Sequence, residues 1–522
     1  MRILLVHPNS ISRGYLIPAI TSLSAVLKKA GHKVDLFDTT FFESNTVDDV
    51  MMKEKNLEFK KVDLSKYRIS RKNVNIREEF EKKIREFKPD LIAVSVVSSE
   101  FDFLMSFLDI KEKFNIPMVV GGIHPTVAPN EVIRCKCIDM ICIGEGEEAI
   151  LELTSKLEKK RDITKIKNLW VKHKGKVIKN EIRPLIEDLD SLPFPDWSIF
   201  DERHLIKPFW GDVYKFGYFE MGRGCPYRCS FCVNSYLHNL YEGKGNYHRE
   251  KSVERIIAEM NHYKKKYNFN FVQFTDETLL AMNEEKLIKF AKMYKEHINL
   301  PFYMMTRLET INEEKVRIIS SMNLCKLIGI GLESGNEKIR RDVCKKFFTN
   351  KKVLEIAMIL HKYGLRIATY NMIGLPSETR EQIFDTIRLN KKIRSKPCIV
   401  YFFYPFKGTP LRKLCEKEGY LAKEDKESRP TIDTMLKMPQ ISHKELKAIR
   451  KVFPIYLRTP KFLWSIIKIC EKDGLFAKML YSILINLFEF KLNYLEDKWF
   501  LEKEKQEIEN YIESLNVVLN NH

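Results

Sequence analysis

Residues 221–232 read Met-Gly-Arg-Gly-Cys-Pro-Tyr-Arg-Cys-Ser-Phe-Cys, and this stretch decides the fold that we expect for most of the chain. Its cysteines, Cys225, Cys229 and Cys232, have the spacing C-x3-C-x2-C. Three thiolates on one short loop can each bind one iron of a [4Fe–4S] cube, which leaves the fourth iron without a protein ligand. The stretch therefore predicts an iron–sulfur cluster with one open iron.

These cysteines have two simpler interpretations. A structural zinc site needs a fourth ligand, and the nearby histidines, His238 and His248, do not lie at the usual short spacing. Unpaired surface thiols are the second alternative. We favour the cluster because the flanking sequence and later parts of the chain supply the other residues that such a site requires.

The cysteine loop resembles the signature of the radical SAM superfamily, including Phe231 directly before the last cysteine. In that family the open iron binds the amino and carboxylate groups of S-adenosylmethionine (SAM). Electron transfer into the sulfonium then releases a 5′-deoxyadenosyl radical. The resemblance implies a [4Fe–4S] cluster and SAM as cofactors, and an electron donor such as flavodoxin or ferredoxin as a partner.

Size and composition indicate a multidomain globular protein. The 522 residues predict two or three domains, and 44% hydrophobic with 30% charged residues is typical of a soluble chain. The sequence shows neither the apolar segment of a signal peptide nor an apolar run of roughly 18 to 20 residues, the length that spans a bilayer. We predict a cytoplasmic protein.

The formal net charge of +19 comes from 89 basic and 70 acidic residues. We attribute it to a lysine-rich, solvated surface, with an anionic substrate, a nucleic acid or an acidic membrane face as functional alternatives. Most of the remaining cysteines lie in apolar segments, as expected in a reducing compartment. Cys135, Cys137 and Cys142 form a second group, which we expect to be structural rather than a second cluster.

Residues 1–158 alternate apolar strands with amphipathic helices. Runs such as 2–7 and 91–97 are apolar almost throughout, which indicates strands that are buried on both faces. The pattern predicts a doubly wound parallel sheet of the Rossmann-like, flavodoxin-like kind. Ligands of such sheets bind at the carboxyl ends of the strands.

This part of the chain resembles the cobalamin (B12)-binding domain that precedes many radical SAM domains. The resemblance is carried by serines after the third strand and by glycine-rich loops after the fourth and fifth strands. It implies the following cobalamin-binding residues: Ser95, Ser98, Gly121, Gly122, His124, Gly144 and Glu145.

One motif of that family is missing. The D-x-H-x-x-G loop, whose histidine lies beneath cobalt, is replaced by residues 8–14, Pro-Asn-Ser-Ile-Ser-Arg-Gly. We therefore expect cobalamin to bind without a histidine from that motif, and a domain that keeps the fold without the cofactor is the alternative. His7 and His124 stand at strand ends as candidate ligands, but we favour a hydrogen-bonding or structural role for each.

A linker is predicted over 159–211, where Pro193 and Pro195 disfavour helix. Residues 212–415 then repeat strand, loop and helix six times, which suggests the partial (β/α)6 TIM-type barrel of radical SAM enzymes. The predicted strands are 218–221, 271–274, 302–306, 327–331, 366–372 and 399–403.

Polar and glycine-rich motifs follow the predicted barrel strands, where the catalytic groups of such barrels lie. Thr-Asp-Glu-Thr follows the second strand, Gly-Ile-Gly-Leu-Glu-Ser-Gly ends the fourth, and Gly-Leu-Pro-Ser-Glu-Thr follows the fifth. The resemblance implies these SAM-binding residues: Asp276, Glu277, Arg307, Gly329, Gly331, Glu333, Ser334, Gly374 and Pro376.

Residues 416–522 predict a helical extension. The segment 453–490 places aromatic and aliphatic residues at helical spacing, with lysines between them. We favour a helical cap on the barrel mouth, with an amphipathic surface for a lipid or a membrane interface as the functional alternative. The tail, 502–522, predicts an amphipathic helix.

Together these parts resemble the cobalamin-dependent radical SAM enzymes. The commonest activity of that group implies that one SAM methylates the cobalamin, and that a second SAM supplies the radical that activates an unactivated carbon or a phosphorus centre for methylation. Ring formation or carbon–carbon coupling without methyl transfer is the alternative. We expect a small-molecule or lipid substrate and no nucleic acid.

Two further functions fit less well. A tRNA methylthiotransferase shares the barrel and suits the basic charge, but that family has three more N-terminal cysteines for a second cluster. The group at Cys135, Cys137 and Cys142 does not have that arrangement. A cobalamin sensor would have no need of an intact SAM barrel.

Overall fold

The computed structural model describes residues 1–10, 14–44, 49–67, 69–421 and 430–490. The first domain is built on five parallel strands: β1 (Arg2–His7), β2 (Lys33–Asp38), β3 (Leu91–Ser95), β4 (Met118–Gly121) and β5 (Met140–Cys142). They lie in the order β2–β1–β3–β4–β5, which is the flavodoxin-like order. The prediction of a doubly wound sheet is confirmed.

Helices cover both faces of this sheet, because the strands carry apolar side chains on both sides. These helices are α1 (Pro18–Lys29), α3 (Ile76–Phe87), α4 (Phe101–Leu108), α5 (Ile123–Val127), α6 (Pro129–Arg134) and α7 (Glu147–Glu158), while α2 (Asp49–Lys55) lies next to the barrel. Pro18 starts α1 at a position where a backbone N–H would have no partner within the helix. Asn75 caps α3 by accepting the N–H of Arg77.

Two further strands extend the same sheet. β6 (Leu169–His173) pairs antiparallel with β5, and β7 (Lys176–Lys179) pairs antiparallel with β6. Both lie within 159–211, so this segment contributes a hairpin to the first domain as well as connecting the two domains. The hairpin forms because Leu169 and Val171 alternate with outward residues and bury their side chains in the core.

The second domain contains the strands β8 (Ile206–Phe209), β9 (Asp212–Phe219), β10 (Gly222–Arg223), β11 (Arg249–Glu250), β12 (Phe271–Phe274), β13 (Phe302–Thr306), β14 (Cys325–Glu333), β15 (Ile367–Ile373) and β16 (Cys398–Phe402). Seven of them form one curled sheet in the order β8–β9–β12–β13–β14–β15–β16. All but β8 run parallel, so the six-stranded partial barrel is confirmed. β10 and β11 form a separate antiparallel pair.

Helices alternate with these strands: α8 (Val233–Leu240), α9 (Val253–Tyr267), α10 (Glu284–His297), α11 (Glu313–Ser321), α12 (Asn350–Lys362), α13 (Arg380–Lys392) and α14 (Pro410–Lys417). Each of α9 to α13 begins after a Ser, Asn or Thr whose side chain accepts a backbone N–H of the first turn. These caps are local signals that fix where each helix begins.

The two domains share one apolar core. Leu5 of β1 and Phe219 of β9 belong to the same cluster of buried side chains. Trp197, from the connecting segment, lies in this cluster and stacks on Tyr263 of α9 with ring centroids 4.1 Å apart. Close packing of this kind fixes the strand ends of one domain relative to those of the other.

The C-terminal helices α15 (His443–Arg458), α16 (Trp464–Ile467) and α17 (Leu475–Phe490) pack beside the last barrel strands. Phe453 of α15 is buried in the same cluster as Phe402 of β16, as expected for a helical cap. The predicted helix 502–522 lies outside the described residues. None of the described helices is both long enough and apolar enough to cross a membrane.

Candidate active site

The cysteine loop leaves the carboxyl end of β9. Its first residues form β10, which pairs with β11, and α8 begins directly after Cys232. Cys225 and Cys229 are buried and Cys232 is half-buried. The N–H of Cys232 donates to the carbonyl of Cys229 at 3.1 Å, so the last part of the loop is a tight turn.

The chemistry of these thiols fits an iron–sulfur cube. Across the described part of the chain, no three His, Cys, Asp or Glu side chains are grouped closely enough to hold a single metal ion. Each thiolate of a [4Fe–4S] cluster binds a different iron, so the three sulfurs have to stand apart. Burial raises the pKa of Cys225 to about 11 and that of Cys232 to about 12, so iron binding has to displace their protons.

Asp276, just after β12, holds the start of the cysteine loop. Its carboxylate accepts the N–H of Met221 at 3.0 Å and the N–H of Gly222 at 2.8 Å. Burial raises the pKa of Asp276 to about 7, although these hydrogen bonds oppose the shift. The structure therefore gives this predicted SAM residue a role in positioning the loop.

Glu277 lies beside the last cysteine. Asn234, in the first turn of α8, donates to the Glu277 carboxylate and lies 3.5 Å from Sγ of Cys232. The hydroxyl of Tyr247 donates to Asn234 at 2.6 Å. Burial raises the pKa of Glu277 to about 7. A carboxyl group at this position can accept hydrogen bonds from an ammonium group bound next to the cysteine loop.

Arg307, directly after β13, reaches the same loop. Its Nη1 lies 2.5 Å from Sγ of Cys229, and its guanidinium stacks on the ring of Tyr227 at 3.9 Å. Glu309 pairs with the other side of the guanidinium. A cation held in this way stabilises negative charge on the thiolate.

Glu333 is the last residue of β14 and is 9% exposed. Its Oε1 lies 3.0 Å from Nζ of Lys346, which is 2% exposed. A β-carbon at Gly331 would lie 2.5 Å from the same carboxylate oxygen, so only glycine leaves room for it. Glu333 has a φ of 66°, which is a left-handed backbone that side chains seldom adopt. The strand end is thus shaped around this carboxylate.

Glu378 joins the turns that follow β14 and β15. Its carboxylate accepts the N–H of Gly374 at 2.8 Å and the hydroxyl of Ser334 at 3.4 Å. Burial raises the pKa of Glu378 to about 8. Pro376 is buried within the turn after β15. Gly329 lies deeper in β14, where a β-carbon would come within 3.0 Å of the hydroxyl of Tyr303.

A cavity of about 290 Å³ opens at the carboxyl edge of the first sheet, between the sheet and the helices α1 and α7. Gly224 and Glu277 of the second domain also line it. The glycines on its wall leave space at the sheet edge, as the predicted site for the nucleotide tail of a cobalamin requires. Five of the seven predicted cobalamin residues line this cavity: Ser95, Gly121, Gly122, Gly144 and Glu145.

The other two, Ser98 and His124, contact each other instead. Nδ1 of His124 lies 3.0 Å from the hydroxyl of Ser98, and the imidazole ring lies 4.3 Å from that of Phe101. His124 is fully buried, and burial lowers its pKa to about 4. This pair holds the loops after β3 and β4 together, which gives His124 a structural position.

His7, the other candidate cobalt ligand, ends β1 at the wall of a second and larger cavity. Both of its ring nitrogens are buried and have no hydrogen-bond partner among the described residues. Burial lowers the pKa of His7 to about 4, which keeps the ring neutral near pH 7. A neutral imidazole is the form that binds metals. His7 lines the larger cavity, whereas His124 lines neither this cavity nor the smaller one.

Ion pairs across the domain interface lie beside the cysteine loop. Glu145 accepts from Nη2 of Arg249 at 2.6 Å, and Glu147 accepts from Nη2 of Arg223 at 2.7 Å. Glu145 thus lines the small cavity and also joins the domains. A β-carbon at Gly144 would lie 2.0 Å from the hydroxyl of Tyr241, so this glycine permits the close approach of α8.

Five residues that organise the site were not predicted from the sequence, although three of them lie within its motifs. Arg223 belongs to the cysteine stretch, Glu147 to the loop after β5, and Glu378 to the turn after β15. Arg249 and Lys346 had no signal, because nothing in a lysine- and arginine-rich sequence distinguishes a cation that becomes buried.

Two family models match the chain. The model of the B12 binding domain matches residues 18–154, and the model of the Radical SAM superfamily matches residues 219–389. These matches fall on the first domain and on the barrel, in the order in which the structure places them.

Curated relatives carry two different activities in their names. "Uncharacterized methyltransferase PH0819" of Pyrococcus horikoshii is 28% identical over 410 residues, covering 78% of this chain and 86% of that protein. An anaerobic magnesium-protoporphyrin IX monomethyl ester cyclase of Cereibacter sphaeroides is 26% identical over 407 residues, or 74% of this chain. The match spans only 59% of the cyclase.

A solved structure shares the fold of both domains. It is the cobalamin-dependent S-adenosylmethionine radical enzyme OxsB with aqua-cobalamin and S-adenosylmethionine bound, with a TM-score of 0.64 and 17% identity. The match covers 99% of this chain and 75% of that one. With its two matched domains and its cysteine loop, this chain belongs to the radical SAM proteins that carry an N-terminal B12-binding domain.

Proposed function

We propose that this protein is a cobalamin-dependent radical SAM methyltransferase that acts on an unactivated carbon or phosphorus centre. When bound, the [4Fe–4S] cluster, SAM and cobalamin supply the electron, the radical and the methyl carrier. The chain's own contribution is to hold these groups in fixed relation and to keep water away from the radical.

One observation carries this proposal: the predicted cobalamin slot opens towards the cysteine loop. Ser95 and Gly121 line the slot from the first domain, while Gly224 and Glu277 line it from the second. The ion pairs of Glu145 and Glu147 with arginines hold the two walls together. This arrangement supports a reaction in which both cofactors act on one substrate.

We also propose SAM contacts for the residues around the cysteines. We assign Glu277 to the amino group, because its carboxyl group lies next to the cysteine loop. We assign Glu333 to the ribose hydroxyls or the amino group, because its carboxylate is buried at a strand end of the same barrel mouth. Arg307 holds charge at Cys229 and Asp276 holds the loop.

Product analysis tests the proposal. Reconstituted protein with reductant, hydroxocobalamin and SAM should form both 5′-deoxyadenosine and S-adenosylhomocysteine, and a methyl-labelled SAM should pass its label to the bound corrinoid. Cys232→Ala should abolish 5′-deoxyadenosine. Retention of corrinoid through gel filtration, with identification of the extracted corrinoid, completes the test. Formation of 5′-deoxyadenosine without any S-adenosylhomocysteine would contradict methyl transfer.

A ring-forming or coupling reaction is the second candidate. The cyclase relative favours it, since it aligns with 74% of this chain. Such an enzyme would cleave SAM reductively without passing on a methyl group, so the ratio of the two SAM products separates the candidates.

We also propose a peripheral contact between α17 and an anionic membrane surface. Large apolar side chains are exposed along one side of this helix: Leu475, Phe476, Met479, Ile483 and Leu487. The opposite side packs inward, where Ala477 is buried and Phe488 lines the larger cavity. Exposed Lys468, Lys472 and Lys478 flank the apolar stripe. Apolar residues bordered by lysines suit the headgroup region of an acidic bilayer.

A further inference from the structure

The larger cavity has a volume of about 1320 Å³ and extends from the edge of the first sheet into the barrel. His7 and Ser95 line it at the sheet edge, and Phe216, Tyr303 and Tyr370 line it inside the barrel. Ser95 also lines the smaller slot, so the two cavities meet at this residue. The end of this cavity at the first sheet is therefore next to the predicted corrinoid site.

The wall of the cavity inside the barrel is mostly apolar. Met305, Leu327 and Ile399 project from three different strands, and aromatic rings from β9, β13, β15 and β16 complete the surface. The hydroxyls of Tyr303 and Tyr370 lie 2.5 Å apart and form a polar spot in this wall. A wall of this kind suits a ligand with an apolar or aromatic body.

Helix α2 and the residues after it also line the cavity, next to β16. Glu58 is buried, accepts the N–H of Val400 at 3.1 Å and pairs with Arg450 at 2.7 Å. Arg450 therefore balances the charge of Glu58. Lys53 lies one turn earlier, over the rings of Phe59 and Tyr401 at 5.5 Å and 5.1 Å. It has no carboxylate within ion-pair distance among the described residues.

The charged groups on the cavity wall are predominantly basic. Eight Lys and Arg side chains but only two Glu side chains line it in the described ranges. Two of the cations besides Lys53 also have neutral partners: Arg366 lies over the ring of Trp210 at 4.8 Å, and Lys391 donates to the carbonyl of Thr459 at 2.7 Å. A cation that has neutral partners in a partly desolvated space favours an anionic ligand.

We propose that the part of this cavity inside the barrel binds the substrate, and that the substrate combines an apolar or aromatic body with one oxyanion group held by Lys53 and the hydroxyl of Tyr401. Calling this ligand the substrate rests on the proposed function, but the presence of the binding site does not. Lys53 is the anchor because it faces the cavity between aromatic rings, where one added anion would complete its contacts.

Two fluorescent probes test the site directly on the full chain. 1-Anilinonaphthalene-8-sulfonate and N-phenyl-1-naphthylamine share their rings and differ in the sulfonate. We expect the anionic probe to bind about tenfold more tightly than the neutral one, as one charge-assisted hydrogen bond allows. Lys53→Met should remove this preference and leave the binding of the neutral probe unchanged. Tyr401→Phe should reduce the preference partly.

The matched control is Lys55→Met, which removes an exposed cation from the same helix. It should leave both probes unaffected, and thermal melting should show that all three variants remain folded. Dodecanoate and dodecyl phosphate should displace the anionic probe more strongly than dodecanol does. Displacement by one anion alone would identify which oxyanion the site prefers.

Equal affinity for the two probes, or an unchanged preference in Lys53→Met, would overturn the inference. These measurements use neither SAM nor a cluster, so their failure leaves the proposed methyl transfer standing. Conversely, anion-selective binding without S-adenosylhomocysteine formation would keep the site and reject the methyl transfer.

Discussion

Arg223 and Glu147 form an ion pair that joins the cysteine loop to the cobalamin-binding domain, with Nη2 of Arg223 2.7 Å from Oε1 of Glu147. Arg223 stands two residues before Cys225, and Glu147 is the first residue of α7. Ser22 donates to the same carboxylate oxygen at 2.7 Å. The contact ties the cysteine loop to the first helical turn of α7.

Glu147→Gln should destabilise the protein at neutral pH, because the charge of Arg223 would remain in the interface with a weaker partner. Removing one partner of a buried ion pair costs about 3–5 kcal/mol in the free energy of unfolding. We expect the lower end of this range because Arg223 is partly solvated. Denaturant titration at pH 7 measures it. Glu148→Gln, on the exposed side of α7, is the matched control.

The same pair predicts an acid dependence. Burial by itself raises the pKa of Glu147, but Arg223 and Ser22 more than offset this, so the folded-state pKa lies below the ordinary 4.5. A depressed carboxyl pKa contributes stability above the unfolded value, and this stability is lost as the pH falls through the folded value. We expect the wild type to lose this contribution below pH 4.5, whereas the free energy of unfolding of Glu147→Gln should fall less steeply in this range. The same decrease in stability with falling pH in both proteins would contradict the assignment.

Replacing any of Cys225, Cys229 and Cys232 by alanine should remove the iron–sulfur cluster. Each thiolate holds a different iron, so the loss of one leaves two irons without protein ligands. Iron and sulfide analysis after anaerobic reconstitution measures the effect. Cys137→Ala, in the second cysteine group, should keep full iron content. A cluster retained by a variant that lacks all three cysteines would refute the assignment.

Lys346→Met should lower stability by about 3–5 kcal/mol, because it leaves the Glu333 carboxylate buried without its cation. Glu333→Gln should lower stability as well, because it leaves the buried Lys346 ammonium without its anion, and it should also lose SAM-dependent formation of 5′-deoxyadenosine. Urea unfolding and product analysis separate the two effects. Lys345→Met removes a neighbouring exposed cation and should change neither quantity. Unimpaired cleavage of SAM by Glu333→Gln would remove Glu333 from the SAM site.

Glu378 should make the protein less stable as the pH rises. Burial raises its pKa from 4.5 to about 8, so the folded state keeps a proton that the unfolded chain loses. The stabilisation is complete below pH 4.5 and decreases as the pH rises towards 8, by a total on the order of several kcal/mol. Glu378→Gln should flatten this dependence while its amide oxygen still accepts the N–H of Gly374. Denaturation midpoints measured between pH 5 and 8 test this prediction. The same pH dependence in Glu378→Gln as in the wild type would contradict it.

The exposed stripe of α17 should bind anionic vesicles. Phe476→Ser with Ile483→Ser should reduce co-sedimentation with phosphatidylglycerol vesicles, because it removes two of the apolar side chains that would enter the interface. Binding should weaken at high salt and be weak for phosphatidylcholine. Ser482→Ala, which changes an exposed polar side chain of the same helix, is the control. Self-association of the wild type that the double variant abolishes, without vesicle binding, would identify a second copy as the occupant instead.

Much of the fold could be predicted because its signals are local. Apolar runs such as 91–97 predicted buried parallel strands, and the side-chain caps at the starts of α9 to α13 are Ser, Asn and Thr residues adjacent to their helices. The hairpin of β6 and β7 was missed. Its strands are short and partly charged, and its place in the sheet depends on an edge that β5 offers.

The candidate site divides in the same way. The three cysteines and the glycines of β14 were found by their spacing, which a loop or a strand end imposes on neighbouring residues. The pairing of Glu333 with Lys346, of Glu378 with Ser334 and of Glu147 with Arg223 was not found. Each pair joins segments 13 to 76 residues apart.

The sequence by itself determined which chemistry this protein carries, because a cluster loop and a doubly wound sheet depend on the spacing and periodicity of residues that are close together in the chain. Only the tertiary structure decided how that chemistry is arranged. It brought the slot lined by Ser95 to the cysteine loop, placed His7 at the wall of a cavity, paired His124 with Ser98, and placed Lys53 among aromatic rings. These outcomes depend on close packing between distant segments, where burial and charge set the position of each group.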